Sequence, residues 1–540
     1  MSVQDVFVRC GDDALRKKLQ DEGLPPLAAR VLAARDISGR GDIVPPLAEL
    51  PPPEFLPDIE KFCELLAAAV QKRQKICVVG DYDADGMCAA ALATECLRGM
   101  SADVAWRIPK RMQHGYGLHS EIVRSAEARG AKLLITVDNG VSAHDAVVCA
   151  KSLGMTVCIT DHHLPSDELP PADCIVNPHL GKNGEGKNLS GAGVAFYAMA
   201  ALRRKLGAPF KMNRVLDLAA LGGIADCMPM DKLNRTLIGG GLAHLRAARR
   251  PGPAALAMEA KIRPARISCR DISHTIAPRI NAAGRFDRAE LAVEALLTED
   301  HRAAHKMALQ MNTLNRKRKE TVDDIMRQTA AMKPGPPAAV VYDKEWPHGV
   351  LGIVAGRLAD LHQCPALVFS QWNGLWRGSG RAPDGWDLHA LVSAAAQNCG
   401  DGAADFGGHK RAVGLSVGDV EQFSAAFAEE CAKTAPDGAR RWEVDELPPP
   451  EEVTPESVEC LDTFVWGESF PRPLFAGDFS ISEVRPLNNG TWKLKLTGGG
   501  WSLPAITFGR EPKTEDVFAI FSLCKDHFTG RASAVVEEML

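Results

Sequence analysis

The sequence predicts an α/β protein whose first large domain is a doubly wound parallel sheet. Three short apolar runs, at residues 76–79, 133–137 and 157–159, are each followed by Asp or His residues. Such runs are typical of buried parallel strands, and polar residues directly after them indicate a ligand site at the carboxyl ends of the strands. Residues 288–332 contain neither Gly nor Pro, which predicts helices, and the C-terminal region alternates in a way that predicts a β-barrel.

These patterns divide the chain of 540 residues into five segments. Thr298 is expected to cap the second of two connecting helices, which at 1.5 Å per residue would span roughly 45–50 Å as a spacer. The alternative is a pair of shorter helices within one core. The segments are an N-terminal helical and Pro-rich wrap (1–70), the parallel-sheet domain (71–286), connecting helices (287–333), a second α/β domain (334–435), and a linker with a small all-β barrel (436–540).

The composition is that of an ordinary globular protein, with 46% hydrophobic and 24% charged residues. The net charge of −5 gives no global sign of nucleic-acid binding, although the 63 Lys and Arg can still form a local basic groove. The 15 cysteines form no Cys-x-x-Cys pair, and the first residues lack the apolar core of a signal peptide. No run of about 18 apolar residues occurs. We therefore expect a cytoplasmic monomer with reduced thiols and no membrane contact.

Acidic and imidazole side chains follow the predicted strands. They alternate in a first loop bounded by glycines, after which a helix is expected to begin near Met87, and they recur after the next two strands. A last Asp, Asp226, is expected in a later turn that also follows an apolar strand. Carboxylates gathered in this way repel one another, and divalent cations such as Mn²⁺ or Mg²⁺ relieve the repulsion, which predicts a two-metal phosphoester hydrolase. The candidate catalytic residues are Asp81, Asp83, Asp85, Asp138, Asp161, His162, His163 and Asp226.

Each cluster has an ordinary alternative when it is taken alone. The first loop resembles a calcium site, but the Gly and Glu spacing of an EF-hand is missing. Asp138-Asn139-Gly140 is a common turn sequence, and Asp226 could cap a helix. The occurrence of all the clusters in one order is far more specific and favours the metal site.

In this order the motifs resemble the DHH phosphoesterase superfamily, which takes its name from the triplet at residues 161–163. Within it they are similar to the RecJ branch of single-strand-specific 5′→3′ exonucleases. The resemblance implies a DHH domain, a long helix, a DHH-associated α/β domain and a C-terminal OB barrel. The further motifs that carry it are residues 189–194, 234–235, 277–285, 378–381, 407–409 and 467–470.

The resemblance also implies two bound divalent cations, Mn²⁺ or Mg²⁺. Asp81 and His163 resemble supporting members of the cluster. One departure from the family is the sequence at residues 227–230, Cys-Met-Pro-Met, which we expect to alter packing near Asp226 rather than the chemistry. The implied metal ligands are Asp83, Asp85, Asp138, His162 and Asp226.

An exonuclease must also hold its strand and recognise the 5′ end. Proteins bind phosphates through Arg, Lys, hydroxyl and backbone N–H groups. The glycines around Ser379 and beside His409 are expected to form anion-binding nests of backbone N–H groups. The resemblance implies phosphate binding near the 5′ end by Arg111, Arg279, Ser379 and Arg381, and Tyr116 could stack on bases. The full set of candidate DNA and 5′-phosphate contacts is Arg111, Tyr116, Arg279, Asn281, Ser379, Gly380, Arg381 and His409.

The favoured function is a 5′→3′ exonuclease that releases mononucleotides from single-stranded DNA in recombination and repair. The resemblance implies a single-strand-binding protein and a DNA helicase as partners. One alternative is a hydrolase of small phosphates or oligonucleotides, whose relatives usually lack the long helix and the barrel. Another is a non-catalytic DNA-binding scaffold of the Cdc45 type, which would lose cluster residues. The weakest is a structural protein with an incidental metal site.

Overall fold

A computed structural model describes residues 6–35, 37–111, 117–399, 405–434, 436, 441–487, 491–508, 511–513, 516–526 and 529–540. The chain forms two units, and each is described by itself. The first unit consists of residues up to 284, 288–312 and 442–540, and the second of residues 285–287 and 313–441. Within the described ranges, no helix is both long and apolar enough to cross a membrane.

The N-terminal segment consists of short helices, as predicted, but it begins with a strand that the sequence analysis missed. Asp12 caps the first helix by accepting a hydrogen bond from the Leu15 N–H. The apolar face of the second helix is buried. The elements of the segment are β1 (Val6–Arg9), α1 (Asp13–Asp21), α2 (Pro26–Ala33), α3 (Arg40–Ile43) and α4 (Ile59–Gln71).

The sheet that follows is parallel throughout, so the predicted doubly wound fold is confirmed. Its elements are β2 (Lys75–Val79), α5 (Ala84–Gly99), β3 (Val104–Arg107), α6 (Ser120–Glu127), β4 (Ala131–Val137), α7 (His144–Ser152), β5 (Thr156–Thr160) and β6 (Cys174–Val176). The strand order is β3-β2-β4-β5-β6. The chain first leaves β2 towards β3 and later crosses to β4 on the other side. This reversal creates a crevice at the carboxyl ends of β2 and β4, where such sheets bind ligands.

Helices complete the first unit and lead out of it. They are α8 (Gly191–Leu206), α9 (Leu216–Ala225), α10 (Lys232–Arg246), α11 (Pro251–Glu259), α12 (Cys269–Asp271), α13 (Ala277–Arg285), α14 (Ala289–Leu297) and α15 (His301–Met332). With 32 residues, α15 is roughly 48 Å long, as expected. The predicted cap was wrong by two residues: Thr298 ends α14, and Asp300 accepts the hydrogen bond from the Arg302 N–H.

The second unit contains a five-stranded mixed sheet. Its elements are β7 (Ala339–Tyr342), α16 (Leu351–His362), β8 (Ala366–Trp372), β9 (Leu375–Arg381), α17 (Leu388–Asn398), β10 (Asp405–His409), β11 (Ala412–Val417) and α18 (Val420–Lys433). The order is β10-β11-β9-β8-β7, so β9 is the central strand. One face packs against α16 and the end of α15, and the other against α17 and α18.

The C-terminal region forms the predicted OB-type barrel. Its elements are β12 (Trp442–Asp445), α19 (Pro455–Asp462), β13 (Phe475–Pro486), β14 (Thr491–Gly498), β15 (Trp501–Phe508), β16 (Asp516–Lys525) and β17 (Ala532–Met539). Strands β13, β14, β15, β17 and β16 close through the pairing of β13 with β16. Trp501 packs against Phe479 and Phe521 in the barrel core. Strand β12 extends the sheet, and β1 pairs with it in parallel, which ties the N-terminal segment to the barrel.

Candidate metal centre

The first acidic loop joins β2 to α5 through a turn that only glycine allows at both ends. A Cβ on Gly80 would lie 2.6 Å from the Gly86 carbonyl oxygen, and a Cβ on Gly86 would lie 2.5 Å from the Asp81 nitrogen. Asp83 caps α5, because its Oδ1 accepts a 2.9 Å hydrogen bond from the Gly86 N–H. The helix therefore begins three residues earlier than the sequence predicted.

Asp85 lies in the first turn of α5 and is 2% exposed. Its Oδ1 accepts a 3.2 Å hydrogen bond from the Ala192 N–H, at the start of α8. A helix N-terminus favours a negative charge, which suits a buried carboxylate at this position. A Cβ on Gly222 would lie 2.1 Å from the same oxygen. Helices α8 and α9 therefore pack directly against Asp85, and they are here called the floor of the centre.

Asp138 follows β4 in a left-handed conformation, with φ of 63°. Such a conformation is uncommon outside glycine and often marks a functional site. The side chain of the next residue, Asn139, donates hydrogen bonds to the carbonyls of Val137 and Val79, which joins the ends of β4 and β2. A Cβ on Gly191 would lie 2.3 Å from the Asp138 Cβ, so this carboxylate also sits directly on α8.

The residues after β5 orient two imidazoles. Asp161 Oδ1 accepts hydrogen bonds from the backbone of His162 and from Nδ1 of His163, and its Oδ2 accepts one from the Val141 N–H. Burial raises the pKa of Asp161, but these hydrogen bonds outweigh it and hold the pKa below its ordinary value. Asp161 is therefore an orienting carboxylate, whose oxygens already have donors.

Asp226 reaches the centre from a turn, as predicted, but a helix rather than the expected strand precedes the turn. It ends helix α9, and no strand precedes it. Its N–H bonds to the Gly222 carbonyl, and the following Cys227 adopts a left-handed conformation with φ of 55°. The uniformly apolar sequence before Asp226 belongs to a helix buried on all sides, which apolar content alone does not distinguish from a buried strand.

These segments converge on His162. Its Nε2 lies 3.1 Å from Asp138 Oδ1 and 3.5 Å from Asp226 Oδ2. Two overlapping groups have ligand atoms within 4.8 Å of one another: Asp138, His162 and His163, and Asp85, His162 and Asp226. Asp81 and Asp83 belong to neither group. Both lie in the loop between β2 and α5.

Burial is the largest influence on the carboxylates, and mutual repulsion adds to it. Burial and the charge of Asp83 raise the pKa of Asp85 to about 7. Burial and the charges of Asp85 and Asp83 raise the pKa of Asp226 to about 8. Burial, followed by the charge of Asp85, raises the pKa of Asp138 well above its ordinary value. Without a cation, this cluster therefore holds protons near neutral pH.

The two histidines differ in charge. Burial and the neighbouring His163 lower the pKa of His162 to about 4, so its imidazole is neutral, as a metal ligand must be. Burial also lowers the pKa of His163, but the hydrogen bond and charge of Asp161 outweigh it and raise the pKa to about 9. His163 is therefore a cation at neutral pH.

The donors of the centre fit divalent cations. Asp81 Oδ1 and Asp85 Oδ2 are buried and have no hydrogen-bond partner in the described part of the chain. A buried carboxylate oxygen without a donor is costly unless a cation binds it. Carboxylate oxygens with imidazole suit Mn²⁺ and, with more water, Mg²⁺.

The predicted phosphate contacts in the first unit have distinct surroundings. Arg111 lies with its guanidinium 4.9 Å from the ring of Tyr82, beside the acidic loop. Arg279 donates from Nε to Asn312 and from Nη1 to the Thr275 carbonyl. Asn281 accepts a hydrogen bond from the backbone of the acidic loop. Tyr116 lies outside the described residues.

In the second unit, the predicted nests are wrong. Residues 378–381 lie in the central strand β9, where Ser379 pairs with Val368 on one side and Gly414 on the other. Residues 407–409 lie in β10 and pair with β11. Gly378 and Gly380 are needed for packing, since a Cβ on Gly378 would lie 2.4 Å from Phe369 and a Cβ on Gly380 2.6 Å from Leu367. Arg381 and Arg411 nevertheless place positive charge near His409; after burial, that charge further lowers the pKa of His409.

Three residues that form the floor of the centre had no predicted role: Gly191, Ala192 and Gly222. The first two belong to the family motif at residues 189–194. The signal available was a run of small residues after Ser190, which caps α8 by accepting a hydrogen bond from the Gly193 N–H. Small residues there allow the helix end to approach Asp85 and Asp138.

Three family models match successive parts of the chain. The DHH family, N-terminal domain, matches residues 75–223. The DHHA1 domain matches residues 335–433, and the RecJ OB domain matches residues 444–537. The first covers the parallel sheet and the floor helices, and the last covers the barrel.

Relatives and solved structures agree with this order. The single-stranded-DNA-specific exonuclease RecJ of Salmonella typhimurium is 35% identical over 530 residues, which cover 92% of each chain. The crystal structure of RecJ from Thermus thermophilus in complex with Mn²⁺ has a TM-score of 0.83 and 28% identity, covering 100% of this chain and 80% of that one. Its complex with Mg²⁺ has a TM-score of 0.77 and 27% identity, covering 100% and 79%. With 35% identity along nearly its whole length, the chain belongs to the RecJ family of single-stranded-DNA-specific exonucleases.

Proposed function

We propose that this chain is an exonuclease that degrades single-stranded DNA from the 5′ end by hydrolysing phosphodiester bonds with two divalent cations, Mn²⁺ or Mg²⁺. The observation that carries the proposal is the convergence of two overlapping ligand groups on His162. The two groups together supply three carboxylates, and a carboxylate can bridge two ions about 3.5–4 Å apart, whereas a single imidazole nitrogen binds one ion. Relatives that match nearly the whole chain are named single-stranded-DNA-specific exonucleases.

The proposed ligands lie near the crevice of the sheet. Asp85, Asp138 and His162 are buried, and Asp83 and Asp226 are partly exposed. When bound, the cations would supply an activated water and neutralise charge on the phosphoryl oxygens. Asp161 orients His163, whose imidazolium can donate a hydrogen bond to a phosphate. Asp81, in the loop between β2 and α5, is a supporting member of the cluster. The proposed ligands are Asp83, Asp85, Asp138, His162 and Asp226.

We further propose that the strand is held through its phosphates, which gives binding without base specificity. In the first unit, Arg111 and Arg279 present guanidinium groups, and Asn281 an amide. In the second unit, Ser379 and Arg381 contribute side chains from β9, and Gly380 lies between them. His409 contributes an imidazole near Arg381. Tyr116 is proposed as a stacking contact, because an aromatic ring can stack on any base.

The release of mononucleotides, a role in recombination and repair, and recruitment by a single-strand-binding protein and a helicase rest on family membership. A cytoplasmic monomer is proposed on the composition. These properties are part of the same proposal, but each is tested separately. Co-purification would detect a partner, and light scattering would give the oligomeric state.

The decisive experiment uses single-stranded and duplex DNA labelled at the 5′ or the 3′ end, with Mn²⁺ and the full chain. Early release of labelled mononucleotide from the 5′ label of single strands is expected, with little release from duplex. Activity confined to dinucleotides would instead identify a small-phosphate hydrolase. Asp138→Ala should abolish hydrolysis and preserve strand binding, whereas Asp145→Ala, an exposed carboxylate on α7, should leave both unchanged.

The phosphate contacts are tested by binding and kinetics together. Arg279→Ala should raise KM for single-stranded DNA or shorten processive runs, and it should leave Mn²⁺ affinity unchanged. Arg270→Ala is the control, because Arg270 is exposed on the preceding short helix. An unchanged KM and run length for Arg279→Ala would remove this residue from the binding site.

A further inference from the structure

Asp226 differs from the other proposed ligands in its support, because no strand of the sheet carries it. It begins the segment 226–231, here called the Asp226 loop, which leads from α9 to α10. The first half is held by the end of α9, since Met228 N–H donates to the Gly223 carbonyl. The second half must be held by other parts of the chain, and its polar backbone groups show which.

A turn from the C-terminal module contacts the second half of the loop. The Met230 N–H donates a 2.6 Å hydrogen bond to the Glu468 carbonyl. Gly467 lies flat against the same residue, because a Cβ there would be 2.6 Å from Met230 Cγ and 3.0 Å from its Cε. Met230 is 2% exposed, so its side chain has no open space into which to retreat.

The contacting segment, here called the 467–470 turn, is closed by its own backbone hydrogen bonds. Gly467 and Phe470 each donate a backbone hydrogen bond to the carbonyl of the other, at 3.0 and 3.2 Å. Ser469 between them is left-handed, with φ of 63°. The Phe470 ring stacks on Trp466, with centroids 5.0 Å apart, and the Trp466 indole N–H donates to the Leu461 carbonyl.

Two side chains of α10 hold the loop, and one of them, Arg235, also contacts this turn. Arg235 Nη1 donates a 3.0 Å hydrogen bond to the Met230 carbonyl, while its guanidinium lies 4.8 Å from the centre of the Phe470 ring. Such a cation–π contact contributes about 0.5–2 kcal/mol depending on desolvation. Asn234 donates to the Pro229 carbonyl at 2.8 Å. The backbone between Asp226 and α10 is thus bound on both sides.

We propose that the 467–470 turn is a positioning element of the metal centre, which sets the place of Asp226 through Met230 and Arg235. The inference rests on the proposed role of Asp226 as a metal ligand. It assigns the C-terminal module a second task besides any contact of its barrel with DNA. It also explains why Met230, one of the residues that depart from the family pattern, is fully packed.

The test compares substitutions in the full chain. Gly467→Ala should push against Met230, and Phe470→Leu should remove the ring beneath Arg235, whereas Phe470→Tyr keeps the ring. Gly41→Ala is the matched glycine control, because a Cβ there meets nothing within 4 Å. Arg235→Lys keeps a charge but loses the planar contact with the ring. Mn²⁺ affinity is measured by calorimetry without DNA, and kcat and KM are measured on single-stranded DNA.

Gly467→Ala, Phe470→Leu and Arg235→Lys are expected to weaken binding of one Mn²⁺ by roughly 10- to 100-fold, as for partners that orient metal ligands. They should lower kcat at limiting Mn²⁺, leave KM for DNA unchanged and recover activity at high Mn²⁺. Phe470→Tyr and Gly41→Ala should resemble the parent chain. If Gly467→Ala does not fold, the Phe470 pair decides the question.

Two results would overturn the inference. Unchanged Mn²⁺ affinity in Phe470→Leu and Arg235→Lys would show that the turn does not position the centre. A raised KM with unchanged Mn²⁺ affinity would identify the turn as a DNA contact instead. Asp226→Asn separates the two levels, since loss of Mn²⁺ binding in this variant alone would uphold the proposed ligand and reject the turn. Unaltered Mn²⁺ binding in Asp226→Asn would reject both.

Discussion

The backbone N–H of Ala84 donates a 2.7 Å hydrogen bond to the side-chain oxygen of Asn281. Ala84 is the first residue of α5, where a helix leaves its N–H without an intrahelical acceptor. On the same helix as Asn281, a Cβ on Gly284 would lie 1.8 Å from the Tyr82 carbonyl oxygen. Helix α13 therefore supports the acidic loop directly, across nearly 200 residues of sequence.

Asn281→Ala should remove this acceptor and lower the free energy of unfolding by about 1 kcal/mol, the usual contribution of a helix cap or a single hydrogen bond. Urea unfolding measures the change, and Asn398→Ala, an exposed amide bonded to Glu430, is the control. Mn²⁺ affinity should also fall, because the loop carries Asp83 and Asp85. A raised KM with normal Mn²⁺ affinity would assign Asn281 to phosphate binding alone.

Adjacent glycines in α9 allow a sharp test of the floor of the centre. Gly222→Ala should displace Asp85, since the new Cβ would lie 2.1 Å from its Oδ1 and 2.6 Å from the Ala192 Cβ. We expect a stability loss of about 1–3 kcal/mol from overpacking and at least tenfold weaker Mn²⁺ binding. Gly223→Ala meets the flexible end of Ile238 at 3.2 Å and Ser190 Oγ at an ordinary contact distance of 3.7 Å, and it should be tolerated. Equal behaviour of the two variants would contradict the geometry.

Metal-free protein should become less stable as the pH rises from about 5 to about 8. The pKa of Asp85 is raised to about 7 and that of Asp226 to about 8, so the folded state holds protons that the unfolded state releases near pH 4. Stability from a raised pKa is complete below the unfolded value and is lost as the pH passes the folded value. Thermal unfolding after chelation measures this.

Mn²⁺ should abolish that decline, because bound carboxylates are deprotonated and the cation stabilises the folded state by mass action. Asp226→Asn should flatten the upper part of the metal-free curve, since its amide does not titrate. A metal-free stability that is constant or rises between pH 5 and pH 8 would contradict the clustering of these carboxylates.

A buried ion pair network supports the floor helices. Arg250 is about one-tenth exposed and donates 2.7 Å hydrogen bonds to Asp217 and Glu95. Removing one partner leaves buried charges uncompensated, so Arg250→Ala should lower the free energy of unfolding by about 3–5 kcal/mol. Arg214→Ala is the control: Arg214 contacts Glu95 from an exposed position, and its loss should change stability by less than about 1 kcal/mol. Denaturant unfolding of both variants measures the difference.

Local sequence patterns were sufficient to predict the strands that precede Asp81, Asp138 and His162. A buried parallel strand is a short apolar run, and the polar residue after it lies at the ligand-binding edge whatever the rest of the chain does. Asp226 was predicted to follow a strand for the same local reason, and this was wrong. A helix buried on every side and a buried strand are both apolar, and only the surroundings decide between them.

The phosphate-binding motifs show the same limit. The glycines of residues 378–381 predicted a nest, yet they lie in the middle of a sheet, where Phe369 and Leu367 press against them. Glycine is compatible with a left-handed turn and with close packing in a strand, so its presence does not select one of them. The ladder of β8, β9 and β11 made the selection.

The sequence by itself determined which acidic and imidazole residues are candidate ligands, their order along the chain, and the succession of sheet, long helix, second sheet and barrel. Only the tertiary structure decided that α8 and α9 form the floor of the centre, that β1 joins the barrel sheet, and that the 467–470 turn packs on Met230. The physical reason is the distance along the chain over which each kind of interaction acts. Periodicity and turn chemistry act within a few residues, whereas these contacts depend on surfaces that meet only after distant segments have packed.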